Sequence, residues 1–172
     1  ERLLVTLRPL VAETVVIRGI GQTLPRISQE LKAWIKVGWD AEEGRGPLQG
    51  IVDALPLLSI EIDKVFLLTC DLPYLTTEWL QTLRDIMTDE YDIVCTEEDN
   101  ITNPLLALYR RPVLESAPQL LAAGKRRPLL LWEGWRLARL SAPEETPWIC
   151  RDANTPEEFQ EAQTYFQTKF ND

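Results

Sequence analysis

Apolar runs of strand length alternate along this chain with longer stretches whose apolar residues recur at helical spacing. That alternation predicts a parallel sheet flanked by helices. Leu3, Leu4, Leu7 and Val11 share one helical face, and residues 14–18 (TVVIR) read as a buried strand. Residues 34–37 form a weaker strand that ends at Gly38, Trp39 and Asp40. Pro47, after Gly46, opens a helix that the pattern carries to about residue 58. Residues 64–70 (KVFLLTC) are apolar on both faces, as a central parallel strand must be. Thr76 or Thr77 caps the next helix, to about residue 87.

Residues 92–96 and 105–109 are further strands, and Pro112 opens a helix that Gly124 closes. Strands are also expected at 137–140 and 148–150. In Thr155-Pro156-Glu157-Glu158, Thr155 caps, Pro156 takes the first turn and Glu158 completes a capping box for a helix to about residue 169. No repeat, low-complexity tract or linker interrupts the chain, so residues 1–172 read as one domain. The chain opens directly in a helical pattern, without the strand that normally starts such a sheet. The expectation is that the domain is incomplete at its N-terminal side.

Composition narrows the function. With 45% apolar and 26% charged residues the chain can bury a real core, and no apolar run approaches the roughly 18 residues of a membrane span. A net charge of −9 argues against nucleic acid, which is bound by neutralising phosphates with Lys and Arg. The dense basic clusters are Arg110-Arg111 and Lys125-Arg126-Arg127. The latter trio reads as a solvated helix end that could also steer an anionic ligand. Cys70, Cys95 and Cys150 stand alone without a CxxC pair, so buried reduced thiols and a cytoplasmic location are expected. There is no histidine. Ser-His-Asp and Cys-His mechanisms and His-ligated zinc are therefore excluded, leaving carboxylates, cations, backbone amides or a metal.

Asp71 is the first candidate. It follows a buried strand and precedes Leu72-Pro73, so it projects from the carboxyl edge of the sheet, where open parallel sheets bind ligands. It reads either as a turn former or helix cap, or as the ligand of a magnesium ion, which needs only one or two protein carboxylates. Gly44-Arg45-Gly46-Pro47-Leu48-Gln49-Gly50 is a glycine loop at a helix start: a flexible connection, or a place where a ligand approaches backbone. Asp40 is a solvated loop acid or an acceptor for a ribose or base. Asn154 and Asn103 are turn formers or readers of a polar heterocycle. The six tryptophans are scattered and read as packing.

Separately these signals are plain; their order is not. GPLQG (46–50), FLLTCDLPYL (66–75), NPLLALYRR (103–111) and NTPEE (154–158) together resemble the molybdenum cofactor guanylyltransferases, the MobA type. The resemblance implies a three-layer α/β/α sandwich with a Rossmann-like, mostly parallel sheet of the nucleotide-diphospho-sugar transferase type. It implies transfer of GMP from GTP to the terminal phosphate of molybdopterin, with release of pyrophosphate and with Mg²⁺ as cofactor. Asp71 would be the catalytic, metal-holding and nucleotide-contacting acid. Asp40, Gly46, Pro47 and Leu48 would hold the nucleotide, and Asn154 and Asn103 the pterin. GTP and molybdopterin would be the partners, with molybdenum-insertion proteins and molybdoenzymes beyond them and a monomer or weak oligomer as the assembly.

Three departures stand out. The family's glycine-rich loop with an arginine and a lysine, which grips the triphosphate, is absent and would lie upstream of Glu1 with the first strand. Asp152 replaces the first asparagine of an N-x-N-T-P element, and Arg18 stands where many relatives carry asparagine. The alternatives are a sister enzyme using CTP or another phosphorylated acceptor, and a non-catalytic module that binds the pterin cofactor. An NAD-binding Rossmann domain is disfavoured because G-x-G-x-x-G is missing.

Overall fold

Side chains on the two central strands sort onto two faces with a period of two, and each face meets its own layer of helices. The computed structural model describes residues 1–41, 44, 46–98 and 101–169. Its elements run α1 (Arg2–Leu7), β1 (Thr14–Arg18), α2 (Gln29–Trp34), β2 (Ile35–Trp39), α3 (Pro47–Ala54), β3 (Lys64–Leu68) and α4 (Thr77–Ile86). Then follow β4 (Ile93–Glu98), β5 (Ile101–Arg110), α5 (Arg111–Leu114), α6 (Ala117–Ala122), β6 (Leu137–Ser141) and α7 (Pro156–Lys169). In the register of β4 and β5, Val94 opposes Leu108, and these join Leu106 and α4 residues Trp79, Leu80 and Leu83 in one buried cluster. Ile93 opposes Tyr109 and Cys95 opposes Ala107, and these join Leu48 and Ile51 of α3 and Val113 of α5 in the other. The result is the expected three-layer α/β/α sandwich.

The strands form two sheets. β1 pairs with β2 in parallel, and a second sheet has the order β3-β5-β4-β6. There β5 runs antiparallel to both β3 and β4 while β6 runs parallel to β4, so β3, β4 and β6 share one direction. The sheets are thus mostly parallel, with β5 the reversed strand. Each neighbour of the gap between the sheets, β1 and β3, is hydrogen-bonded on one edge.

Where expectation and structure differ, proline explains most of it. The helix opened by Pro47 ends at Ala54 and continues as a 3₁₀ turn, Leu55–Leu57, because Pro56 has no N–H for the next helical bond. Pro118 likewise splits the single helix expected after Pro112 into α5 and α6, with Ser116 Oγ donating to Val113 O at the break. The strand expected at 148–150 is instead a 3₁₀ turn, Pro147–Cys150, closed by Ile149 N–H donating to Thr146 O. Helix α2 was not expected; Ser28 Oγ caps it by accepting from Leu31 N. The capping box of α7 forms as read: Thr155 Oγ1 accepts from Glu158 N (3.2 Å), and Glu158 Oε2 accepts from Thr155 N (3.0 Å) and Asn154 N (2.8 Å). Cys95 and Cys150 are buried and free, but Cys70 is exposed, against the expectation that all three thiols are buried.

The β4–β6 seam carries one pH-sensitive tie. Asp92, buried just before β4, accepts from Arg136 Nε (2.8 Å), Nη2 (2.8 Å) and backbone N (3.1 Å). Those hydrogen bonds hold its carboxyl down at about 2. A depressed carboxylate stabilises the fold above its unfolded value near ~4 and loses that contribution as pH falls through the folded value. Asp92→Asn should therefore lower stability at neutral pH and flatten the loss of stability between about pH 4 and 2. Urea melts across that range measure it; a slope equal to the parent's would refute the tie.

Candidate functional site

β3 delivers Asp71 to the end of the sheet. The pairing with β5 persists to Thr69, whose N–H donates to Leu105 O (3.1 Å), after which the chain turns. Leu72 and Leu75 are buried in the core below, and Arg2 Nε donates to Pro73 O (2.7 Å), so the turn is pinned from both sides. Asp71 lies in the wall of a cavity of about 1190 Å³. Its Oδ1 is buried there without a hydrogen-bond partner, as is Arg18 Nε; no other described side chain leaves a buried polar atom so. A buried carboxylate oxygen with no donor is costly and therefore informative. It suits a divalent cation that takes one protein carboxylate and completes its shell with water and phosphate oxygens. Among the described residues no three His, Cys, Asp or Glu gather into a metal cage. A cation here would depend on Asp71 and on its ligand's oxygens.

The second wall comes from β1 and α3, with Asp40 behind it, outside the lining. Asp40 follows β2, its N–H donating to Arg18 O (2.8 Å), and its Oδ1 stands 3.6 Å from where a Cβ on Gly50 would lie. Burial, then the charge of Asp53, raises its carboxyl above the ordinary range. Asp53 was not singled out in the sequence. It accepts from Ala41 N (2.8 Å) and from Gln49 Nε2 (3.0 Å), and so ties the segment after Asp40 to α3. The signal was available, since Gln49 and Asp53 are four apart and share a helical face.

Gly46 caps α3 with φ +72°, a conformation other residues rarely adopt, and Pro47 occupies the first turn. Pro47 and Gly50 line the cavity, whereas the Leu48 side chain is fully buried in the core. Arg126 Nη1 donates to Gly44 O (3.4 Å), which sets the basic trio beside the glycine loop. Arg45 lies outside the described residues.

Asp40 invites a prediction with opposite signs. A carboxyl raised on folding opposes folding once it ionises, so its contribution worsens as pH rises through the raised value. Asp40→Asn should melt slightly higher at neutral pH, with the difference vanishing in acid, while nucleotide affinity falls. Melting curves against pH, alongside calorimetric titration, read both. A variant of unchanged affinity would remove Asp40 from the site.

The third wall is α7, through Phe159, Ala162, Gln163 and Phe166, and the segment entering it lies beside Asp71. Ala153 N donates to the Asp71 carbonyl (2.9 Å), so Asn154 follows within one residue of a direct tie to the candidate acid. Asn154 is exposed, and its backbone N–H, not its amide, serves the capping box. Asn103 lies on β5, outside the cavity lining, and its Oδ1 accepts from Leu105 N (2.8 Å). Thus Asp71, Pro47 and Gly50 share the cavity wall, whereas Asp40, next to Gly50, and Gly46 and Asn154 lie outside the lining. Leu48 and Asn103 do not present their side chains to it.

Residues 1–139 match the model of the MobA-like NTP transferase domain. This chain belongs to that family. MobA-like domains are nucleotidyltransferases, and that is the enzyme class of this chain. A probable molybdenum cofactor guanylyltransferase of Bacillus mycoides is 28% identical over 95% of this chain and 81% of its own length. One from Bacillus cereus is 31% identical over 74% of this chain, and the match spans 64% of that relative. Among solved structures, molybdopterin-guanine dinucleotide biosynthesis protein A from Archaeoglobus fulgidus superposes with a TM-score of 0.62 at 20% identity, over 77% of this chain and 69% of that one. At that identity the likeness speaks for the MobA-like fold. No helix among the described residues is long and apolar enough to cross a membrane.

Proposed function

We propose that this MobA-like domain transfers GMP from GTP to the terminal phosphate of molybdopterin, releasing pyrophosphate, in the cytoplasm. The observation that carries the reading is Asp71, which lies in the wall of a large cavity at the end of β3 and has a buried Oδ1 without a hydrogen-bond partner. The guanylyltransferase names of the Bacillus relatives support the nucleotide and the acceptor. A divalent cation on Asp71, Mg²⁺, would supply neutralisation of charge on the α-phosphate and the leaving pyrophosphate.

The protein's own residues do the rest. Asp40 accepts hydrogen bonds from the guanosine, and Gly46 with Pro47 lets the base approach the main chain at the start of α3. The basic trio at Lys125, Arg126 and Arg127 raises the local concentration of an anionic substrate near that loop. Asn154 meets the pterin side, held close to Asp71 by the Ala153 tie. Since the attacking phosphate is anionic near neutral pH, no general base is required and a histidine-free site is no handicap. In-line positioning and electrostatic stabilisation carry the reaction.

The test is guanylylation of molybdopterin by the protein with GTP, CTP or ATP and Mg²⁺, read by release of pyrophosphate and by the dinucleotide product. Product with GTP alone is expected. Product with CTP would reassign the nucleotide, and pterin binding without turnover under any nucleotide would favour a non-catalytic carrier.

A further inference from the structure

Three consecutive amides lead into α7, and none of them is left to solvent. Ala153 N donates across to Asp71 O (2.9 Å), Asn154 N to Glu158 Oε2 (2.8 Å) and Thr155 N to the same oxygen (3.0 Å). A capping box needs only one bond back from Glu158, the one to the cap residue Thr155. Asn154 stands before the cap, and its N–H is not among the donors that a helix start leaves orphaned. Its bond to Glu158 is nonetheless the shorter of the two. Glu158 therefore does more than begin a helix: it fixes the residue ahead of the cap, and Ala153 joins that residue to the backbone of Asp71.

The Asn154 side chain depends on this arrangement. It is exposed, and among the described residues no hydrogen bond engages its amide, so its placement follows the main chain beneath it. The two ends of the strip are not equally secure. The Asp71 turn is held by the pairing with β5 up to Thr69, by buried Leu72 and Leu75 and by Arg2 on Pro73 O. Between Cys150 and α7 there is neither helix nor strand, and Arg151 reaches Glu161 only at 3.5 Å between exposed side chains, a contact of little weight. The bonds of Ala153 and Glu158 define the course of the chain there.

We infer that Glu158 is a positioning residue of the proposed reaction: its carboxylate fixes Asn154 relative to Asp71, and so places the acceptor's heterocycle with respect to the acid that holds the cation. The inference rests on the proposed function, in which Asn154 meets the pterin and Asp71 the metal. Glu158 touches neither substrate and acts through the Asn154 main chain. In-line transfer tolerates little misplacement of the attacking phosphate, so a group that reads the acceptor needs a rigid support.

Three variants of the full chain separate this role from plain helix capping. Thr155 Oγ1 accepts from Glu158 N (3.2 Å), the half of the box that serves the helix alone, so Thr155→Ala is the control. Glu158→Ala should speed hydrogen exchange at the Ala153 and Asn154 amides by about tenfold or more, whereas Thr155→Ala should leave Ala153 protected. With GTP and molybdopterin, Glu158→Ala should raise the KM for molybdopterin about tenfold and keep the KM for GTP within about twofold of the parent. Glu158→Gln, whose side-chain oxygen still accepts, should recover most of that loss. Equal kinetic effects of Glu158→Ala and Thr155→Ala would reduce Glu158 to a helix cap and overturn the proposal. Unchanged Ala153 exchange in Glu158→Ala, or a KM that rises for both substrates together, would overturn it as well. A parent protein that turns over no pterin, with the exchange pattern as expected, would count against the proposed function only.

Discussion

Asp71→Asn should lower guanylyl transfer by about a hundredfold or more, the scale on which removing one electrostatic contact to a transition state is felt. The melting temperature should scarcely move. The substitution keeps shape and size, and Oδ1 has no hydrogen bond to lose. Loss of Mg²⁺-dependent GTP binding in calorimetry should accompany the lost turnover, because a carboxamide neither carries the charge nor ligates a hard cation well. Unchanged turnover with intact melting would remove Asp71 from the chemistry.

Leu48→Ala should act in the opposite way. Its side chain is fully buried between α3 and the sheet, beside Ile51, Ile93 and Tyr109. Truncation there costs about 2–5 kcal/mol, which for a domain of this size lowers the melting temperature by about 10 °C. Leu48→Met, which nearly conserves volume, should cost less than about 1.5 kcal/mol and leave nucleotide affinity as it was. If Leu48→Ala melted normally yet bound GTP weakly, the side chain would have to face ligand, contrary to its burial. A role for position 48 at the nucleotide is open only to its main chain.

Much of the fold was legible because the strongest elements have both pattern and punctuation. TVVIR and KVFLL stand out by apolar continuity, and α4 and α7 by threonine caps whose hydrogen bonds are formed. The failures have local causes. Pro56 and Pro118 break periodic stretches that otherwise read as continuous helix, and Trp148–Ile149 is apolar enough to pass for a strand while Pro147 bends it into a turn. Within the site, Asp71 and Gly46 were visible because each sits at a junction of elements, where a carboxylate or a left-handed backbone has few structural uses. Leu48 was marked by its place in the glycine loop and by likeness to relatives, and Asn103 by its place before a strand as well, and neither signal tells which way a side chain turns. Asp53 escaped because its work is to hold Ala41 and Gln49, a task that leaves no motif.

The three thiols of this chain live in different chemical worlds. Burial pushes Cys95 up to about 11 and Cys150 up to about 12, so at neutral pH neither offers thiolate to a reagent. Cys70 is exposed and covalently adjacent to Asp71. Alkylating agents should therefore reach Cys70 before Cys95 or Cys150, next door to the acid proposed to hold the metal. A fluorophore attached there should report nucleotide arrival if Asp71 holds the metal as proposed.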